Sequence, residues 1–391
     1  MKLGNNEISK IYLGATEISK AYLGSDLVYG GSGPEPIDYT KEYFTLKALE
    51  NGHFDWNVES MLYSLNDGAW TTWDNTNGLD VSANDAVRFK DNAGRNGYGN
   101  KTISSTGQFN VYGNSMSLFS IYGDNFSGTT SFPSTNGSEF QNLFSGNTNV
   151  ISAENLILPA TKVNTNGYNS MFIGCTKLIS APELPATTLE QGCYKGMFSG
   201  CTKLTTIPPV LPATDIPISG YCQMFTNCKK ITSTPIISAT SVGNSGCTSM
   251  FQSCTGLTTA SELPATTIGK ACYKSMFNGC TSLTTAPSIL PATTLANNCY
   301  NLMFSGCTSL PTAPELARAG TLTTSCYVQM FTSCSNLNYI KCLSNPNGAS
   351  TYTTSWVSQV AASGTFVKAA NSTWTTGNSG IPNGWTVQDA T

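Results

Sequence analysis

The sequence predicts an α+β multidomain protein: a short N-terminal β segment, an antiparallel β-sandwich, and a repeat solenoid closed by a C-terminal cap. Three observations predict it. A Met-Phe pair recurs with a nearly fixed period, a stretch before it alternates apolar and polar residues between turn signals, and the first thirty residues repeat a ten-residue phrase.

The period is the strongest of these. The pair stands at Met171-Phe172, Met197-Phe198, Met224-Phe225, Met250-Phe251, Met276-Phe277, Met303-Phe304 and Met330-Phe331, with a degenerate forerunner at Leu143-Phe144. Successive steps are 28, 26, 27, 26, 26, 27 and 27 residues. Such a period marks coils that bury their apolar faces only by stacking on their neighbours. In the unit at 280–306, "LTTAP" is short, hydroxyl-rich and closed by proline, which suits a brief strand on an open edge. "TTLANNCYNLMFSG" carries apolar residues at helical spacing and ends in glycine, which predicts a short helix with a glycine stop. One strand and one helical piece per turn is the geometry of a leucine-rich repeat.

Three marks recur through these units: "MFxxC", a leucine three residues after that cysteine, and "LPAT" at Leu158, Leu184, Leu211, Leu263 and Leu290. In these the units resemble the BspA-type leucine-rich repeats of bacterial surface proteins and some phage proteins. The resemblance covers about half the chain, over 141–342, and implies a family that binds rather than catalyses.

All fourteen cysteines fall between Cys175 and Cys342. Cys175, Cys201, Cys228, Cys254, Cys280, Cys307 and Cys334 follow each Met by four residues and predict one column. Cys193, Cys272, Cys299 and Cys326 predict a second, with Cys222 and Cys247 shifted by one or two places. A small, apolar thiol with a weak donor can meet a backbone carbonyl at a tight corner. Buried unpaired thiols are the leading reading. Disulfides between coils are the alternative, where Cα atoms come within about 4.4–6.8 Å. Zinc would require a tighter cluster than cysteines six apart and a single histidine, His53, provide. No metal and no cofactor are expected.

In such repeats the strand residue just before the second buried apolar position points outward. That column reads Ser152, Ser180, Thr206, Ser233, Thr259, Thr285, Thr312 and Tyr339, a hydroxyl at every place. Short polar β-formers keep an open parallel sheet soluble without charge; the same ladder offers donors and acceptors to a sugar or protein partner. The array closes after Cys342, and 343–391 is read as the cap, with "TTSWVSQV" a last helix and "GTFVKAA" a last strand. Trp356, Trp374 and Trp385 are available to cover the end of the core. The closing "GNSGIPNGWTV" resembles the ends of other BspA-type chains.

Before the repeats, "LGNNEISKIY", "LGATEISKAY" and "LGSDLVYG" read as three small strands within 1–30. So short a segment cannot bury a core alone. It resembles the N-terminal segment of virion proteins of tailed phages that infect gut bacteria, which implies a docking or assembly module whose partner is another virion protein, through residues 3–30. A linker follows at 31–37. Over 38–140 seven stretches, "EYFTLKALE", "HFDWNVES", "LYSLND", "AWTTWDN", "AVRFKD", "GQFNVYG" and "SLFSIYG", read as the strands of the sandwich. Trp56, Trp70 and Trp73 can stack on a sugar or fill the core. "DNTNGLD" near Asp74 lacks the ligand spacing of a calcium loop and is read as a turn.

Composition bounds the function. Charged residues make up 11%, against roughly 25% in typical domains, and the net charge of −3 gives no basic field for a nucleic-acid partner. No stretch is long enough to span a bilayer as a helix, and "MKLGNNEISK" lacks a signal-peptide pattern, so assembly in a host cytoplasm is expected. Motifs of hydrolases, phosphate loops and zinc proteases are missing, and "YGDNFSG" has a lone carboxylate at Asp124 where glycosidases use a pair; no enzyme is expected. The resemblances together imply a phage virion protein, a tail or head fibre located in the virion, that adheres to a host surface polysaccharide or protein. A homo-oligomer, a trimer by analogy, is expected. The alternatives are a purely structural virion decoration and a bacterial BspA-like adhesin.

Overall fold

The computed structural model describes residues 37–134, 136–346 and 350–391, together with the backbone of six short strands that precede them. The chain divides into two compact units, Met1–Asp38 and Tyr39–Thr391. Among the described residues most regular structure is strand, in several separate sheets with no closed barrel.

In the first unit, β1 (Lys2–Leu3) pairs antiparallel with β2 (Asn6–Glu7), β3 (Ile11–Leu13) with β4 (Thr16–Ile18), and β5 (Lys20–Leu23) with β6 (Asp26–Gly30). Each ten-residue phrase therefore opens a hairpin, where the sequence reading had one strand. The innermost pairs, Leu3↔Asn6, Leu13↔Thr16 and Leu23↔Asp26, leave two residues between strands, glycine first each time, the composition that two-residue hairpins favour. The linker at 31–36 lies outside the described residues.

The second unit begins with two antiparallel sheets. One has β7 (Phe44–Ala48) at its centre, flanked by β12 (Ala86–Asp91) and β14 (Phe109–Asn114), with β9 (Met61–Leu65) and β10 (Thr71–Thr72) beyond β12. The other orders β11 (Leu79–Val81), β8 (Gly52–Trp56) and β13 (Ile103–Ser105). Alternation sets the buried faces: in β12, Val87, Phe89 and Asp91 are buried while Ala86, Arg88 and Lys90 are half-exposed. "SLFSIYG", expected as a strand, instead makes two 3-10 turns, Ser115–Leu118 and Ser120–Tyr122. Asn114 caps the first by accepting the Met116 N–H (3.0 Å), and the side chains of the turn sink into the core. Asp74 folds "DNTNGLD" into a turn by accepting from the Thr76 and Asn77 amides.

The far edge strand, β14, pairs in parallel with β15 (Val150–Ser152) and β16 (Leu156–Ile157). The antiparallel sheet thus passes into a stack of parallel coils, and one buried cluster runs from Phe44 to Trp385. Each coil adds two-residue strands in parallel register, such as Val210–Leu211 on Ile236–Ile237 and Ser241–Val242 on Thr267–Ile268. The C-terminal segment continues the stack: Thr365–Lys368 pairs parallel with Tyr339–Cys342, and Thr386–Asp389 pairs with it in turn.

The helical piece expected in every unit is not a helix, and this removes the α part of the α+β reading. In the first coil Gly167, Asn169, Met171, Ile173 and Cys175 donate their amides three residues back, closing successive tight turns. The intervening amides of Asn166, Tyr168, Ser170, Phe172 and Gly174 donate instead to the next coil, for example Phe172 N–H to Met197 C=O (2.8 Å). The alternation arises because every fourth residue has a positive φ: Asn166 (56°), Ser170 (55°) and Gly174 (73°). A left-handed residue at that interval breaks an α-helix and turns carbonyls sideways, toward the neighbouring coil. "TTSWVSQV" adopts the same turns, with positive φ at Ser355 and Gln359.

Candidate functional site

The column that the sequence singled out does assemble. Parallel bridges join Ser152 to Ser180, Ser180 to Thr206, Ser233 to Thr259, Thr259 to Thr285 and Thr312 to Tyr339. No bridge joins Thr206 to Ser233 or Thr285 to Thr312, so the column falls into three short ladders. Thr206, Ser233, Thr259, Thr285 and Thr312 are exposed, Ser152 and Tyr339 are half-buried, and Ser180 is buried at 9% exposure. The five exposed hydroxyls have no side-chain hydrogen bond among the described residues. Ser152 Oγ accepts the Glu154 N–H (3.3 Å).

The neighbouring column behaves oppositely. Thr205 donates its hydroxyl to Ile179 C=O (3.3 Å), Thr258 to Thr232 C=O (3.0 Å) and Thr284 to Thr258 C=O (3.2 Å). One threonine of each such pair ties coil to coil, and the next points its hydroxyl to solvent. A neutral ladder of this kind can exchange hydrogen bonds with a polyhydroxylated partner; it holds no group able to accept or deliver a proton near neutral pH.

The cysteines belong to the same coils. All fourteen are free and buried. In the first column each thiol donates to the carbonyl of the preceding coil's Phe: Cys175 to Phe144, Cys201 to Phe172, Cys228 to Phe198, Cys280 to Phe251 and Cys307 to Phe277 at 3.1 Å, and Cys254 to Phe225 and Cys334 to Phe304 at 3.0 Å. The Phe172 carbonyl also takes the Cys175 N–H (3.1 Å), so both its lone pairs are used, and the pattern repeats through Phe304. In the second column the contacts lengthen: Cys193 to Gly220 C=O and Cys272 to Cys299 C=O are both 3.9 Å. Burial pushes the Cys280 and Cys342 thiols up to about 12 and Cys326 to about 11; the thiolate that carries cysteine chemistry is suppressed. Cys299 and Cys326 stand in the same second column, both buried.

Of the three tryptophans considered for sugar stacking, Trp56 and Trp73 are core residues, each donating its indole N–H to a backbone carbonyl. Trp70 alone is half-exposed. It packs edge-on against Tyr43 (4.9 Å) with Lys90 Nζ 4.5 Å from its ring centroid, and Asp124 binds both Lys90 (3.0 Å) and the Tyr43 hydroxyl (2.6 Å). Burial, and then that hydrogen bond, push the Tyr43 phenol up to about 12. His53 pairs with Asp80 (2.7 Å), while its Nε2 abuts Gly78. Among the described residues no group of three or more His, Cys, Asp or Glu could hold a metal ion, and no helix is long and apolar enough to cross a membrane.

Sequence reasoning passed over one feature of this face. Lys177, Lys203 and Lys230 each stand two residues after a column cysteine, and comparing the coils place by place would have found them. No protein-family model matches the chain, and no curated protein matches it.

Proposed function

We propose that the chain is a phage virion protein, a tail or capsid fibre, that docks through residues 3–30 and displays a β-sandwich and a BspA-type leucine-rich repeat solenoid. The solenoid adheres without covalent chemistry to a host surface glycan or protein. Five exposed, unpartnered hydroxyls on a face poor in charge carry this reading: they are already ordered by the coils, so a partner's hydroxyls bind at little entropic cost. The three hairpins of the first unit, each too small to hold a core, support docking onto another protein. A homo-oligomer, such as a trimer, fits a fibre.

The test is binding of the full chain to intact host-range cells and to their purified surface polysaccharide. Saturable binding competed by one soluble sugar, and lost in Thr206→Val/Thr259→Val/Thr285→Val, is the expected result. Saturable binding unchanged by these substitutions removes the hydroxyl face from the reading, and no binding by the folded chain removes adhesion. A second reading, a purely structural projection, draws on the neighbouring column: Thr205, Thr258 and Thr284 use their hydroxyls to join coils. It predicts binding to a virion partner alone.

A further inference from the structure

Lys177, Lys203 and Lys230 occupy one place in three successive coils, where the later coils carry Gly256, Ser282, Ser309 and Asn336. The three lysines line a groove of about 440 Å³ with Gln108, Ile151, Ile179 and Thr205. Ile179 is 44% exposed, an apolar floor left open to solvent. Lys177 Nζ donates to Asn149 Oδ1 (3.1 Å), while Lys203 and Lys230 have no hydrogen-bond or ion-pair partner among the described residues. No acidic side chain lines the groove, although Glu50 accepts the Gln108 N–H (2.8 Å) beside it. Lys229, also exposed, adds a further cation next to Lys230. In a chain with only 20 Lys and Arg among 391 residues, four lysines here make a local concentration of positive charge.

We propose that this groove binds a linear acidic polysaccharide, with its carboxylates on the three ammonium groups and its sugar faces over Ile151 and Ile179. The inference rests on the adhesion reading and names the class of polymer. Chemistry favours a glycan over an acidic peptide. An acidic sugar chain offers C–H faces to the exposed Ile179 and hydroxyls to the exposed Thr206 and Ser233 beside its carboxylates, whereas an acidic peptide of the same charge offers the lysines carboxylates alone. Lysine suits the task because its ammonium is a compact charge on a flexible stem, able to follow carboxylates whose orientation varies from unit to unit. The exposed hydroxyls of Thr206 and Ser233 lie three residues beyond Lys203 and Lys230 on the same coils and can take the polymer's neutral groups.

The experiment measures equilibrium binding of the full chain to polygalacturonate, to neutral dextran and to poly-L-glutamate at low salt. It compares wild type with Lys177→Gln/Lys203→Gln/Lys230→Gln and with a control of equal charge, Lys195→Gln/Lys270→Gln/Lys274→Gln. Saturable, salt-sensitive binding of polygalacturonate is expected. The groove variant should lose about tenfold or more, as the loss of three charge-assisted contacts implies, and the control should keep it. Should the triple variant fold poorly, Lys203→Gln against Lys203→Arg serves, with Arg keeping affinity and Gln losing it. Equal losses in groove and control variants, or poly-L-glutamate bound as tightly and as dependent on the lysines, overturns the proposal. Binding of host polysaccharide untouched by the groove variant overturns it and leaves the adhesion reading standing; binding to no polymer and no cell overturns both.

Discussion

The antiparallel sheets and the coil stack share one core but fill it by opposite rules. In the sheets, aromatic rings meet at unrelated angles: Trp56 packs on Phe89 at 81° and on Tyr98 at 37°, and Phe54 meets Phe109 at 83°. In the stack, the Phe of each coil lies on the Phe of the next, from Phe144–Phe172 (5.1 Å, 9°) through Phe225–Phe251 (5.4 Å, 4°) to Phe304–Phe331 (5.7 Å, 13°). A second ladder of tyrosines, headed by Phe140 on Tyr168, is interrupted where Cys247 takes the tyrosine's place. The sheets also carry the denser set of ion pairs, such as Arg95–Asp91 (2.7 Å) and Lys90–Asp124 (3.0 Å). Irregular packing identifies each residue by its neighbours, so register is fixed everywhere; periodic packing fits equally well one coil along, so register must be set at the ends.

The largest test of that contrast compares two tryptophans. Trp56 is central to the sheets; Trp356 lies near the C-terminal end of the stack, packed against Tyr327 (6.2 Å), Phe331 (6.1 Å) and Trp374 (5.2 Å) and donating its indole N–H to Gly380 C=O (2.8 Å). Each substitution to alanine should cost about 3–5 kcal/mol. Trp56→Ala should lower protection from amide exchange across the whole sheet pair, whereas Trp356→Ala should lower it in the last coils and fade toward Phe144. Uniform loss in both variants would show that the stack does not behave as a one-dimensional array.

Smaller effects should follow at the thiol column. Cys254→Val overpacks a filled corner and should cost about 1–3 kcal/mol, more than Cys254→Ala, which mainly loses the bond to Phe225 C=O, about 1 kcal/mol. Native protein should leave a thiol reagent almost unreacted until denaturant is added, with Cys222, the most exposed thiol at 8%, labelled first. Rapid labelling of the column without denaturant would mean that the coils open locally.

This column also shows what the sequence makes legible. The period, the two cysteine columns and the hydroxyl column can be read directly, because a stack converts spacing into adjacency. The helix could not be distinguished from the turn ribbon on apolar spacing. Tyr168, Met171, Phe172 and Cys175 point inward at i, i+3, i+4 and i+7, which suits a helix and a chain of four-residue turns alike. The discriminating signal is the other face, where Asn166, Ser170 and Gly174 are residues that tolerate positive φ at an interval of four. The lysine groove was hidden for a different reason: it exists in three coils only, so a search for what repeats throughout passes over it.

At the junction between the two regions lies Glu139, fully buried, with Oε1 accepting from Asn164 Nδ2 (2.6 Å) and Oε2 unpartnered. Burial raises its pKa, more than the Asn164 bond lowers it. The folded state therefore holds this proton more tightly than the unfolded state. The resulting stabilisation is complete below the unfolded carboxyl value and is lost as pH rises through the folded one. Glu139→Gln, which keeps an acceptor for Asn164 and never ionises, should be more stable than wild type at neutral pH and lose that advantage in acid. Melting curves across pH check this; an advantage that grows in acid would contradict it.

The smallest effect probes the turn ribbon itself. Ala271 holds φ of 52°, a conformation that costs an L-residue about 1–2 kcal/mol, while glycine's extra freedom in the unfolded chain costs roughly 0.5–1 kcal/mol. Ala271→Gly should therefore stabilise by about 0.5 kcal/mol, the reverse of an Ala-to-Gly change in a helix. Eight residues on, Gly279 has φ of 74° and room for a Cβ, whose nearest neighbour would be Ser253 Oγ at 3.5 Å. Gly279→Ala should thus destabilise through backbone strain alone. Opposite shifts in melting temperature for the two variants would tie the stack's stability to its left-handed positions; were the segment helical, both signs would invert.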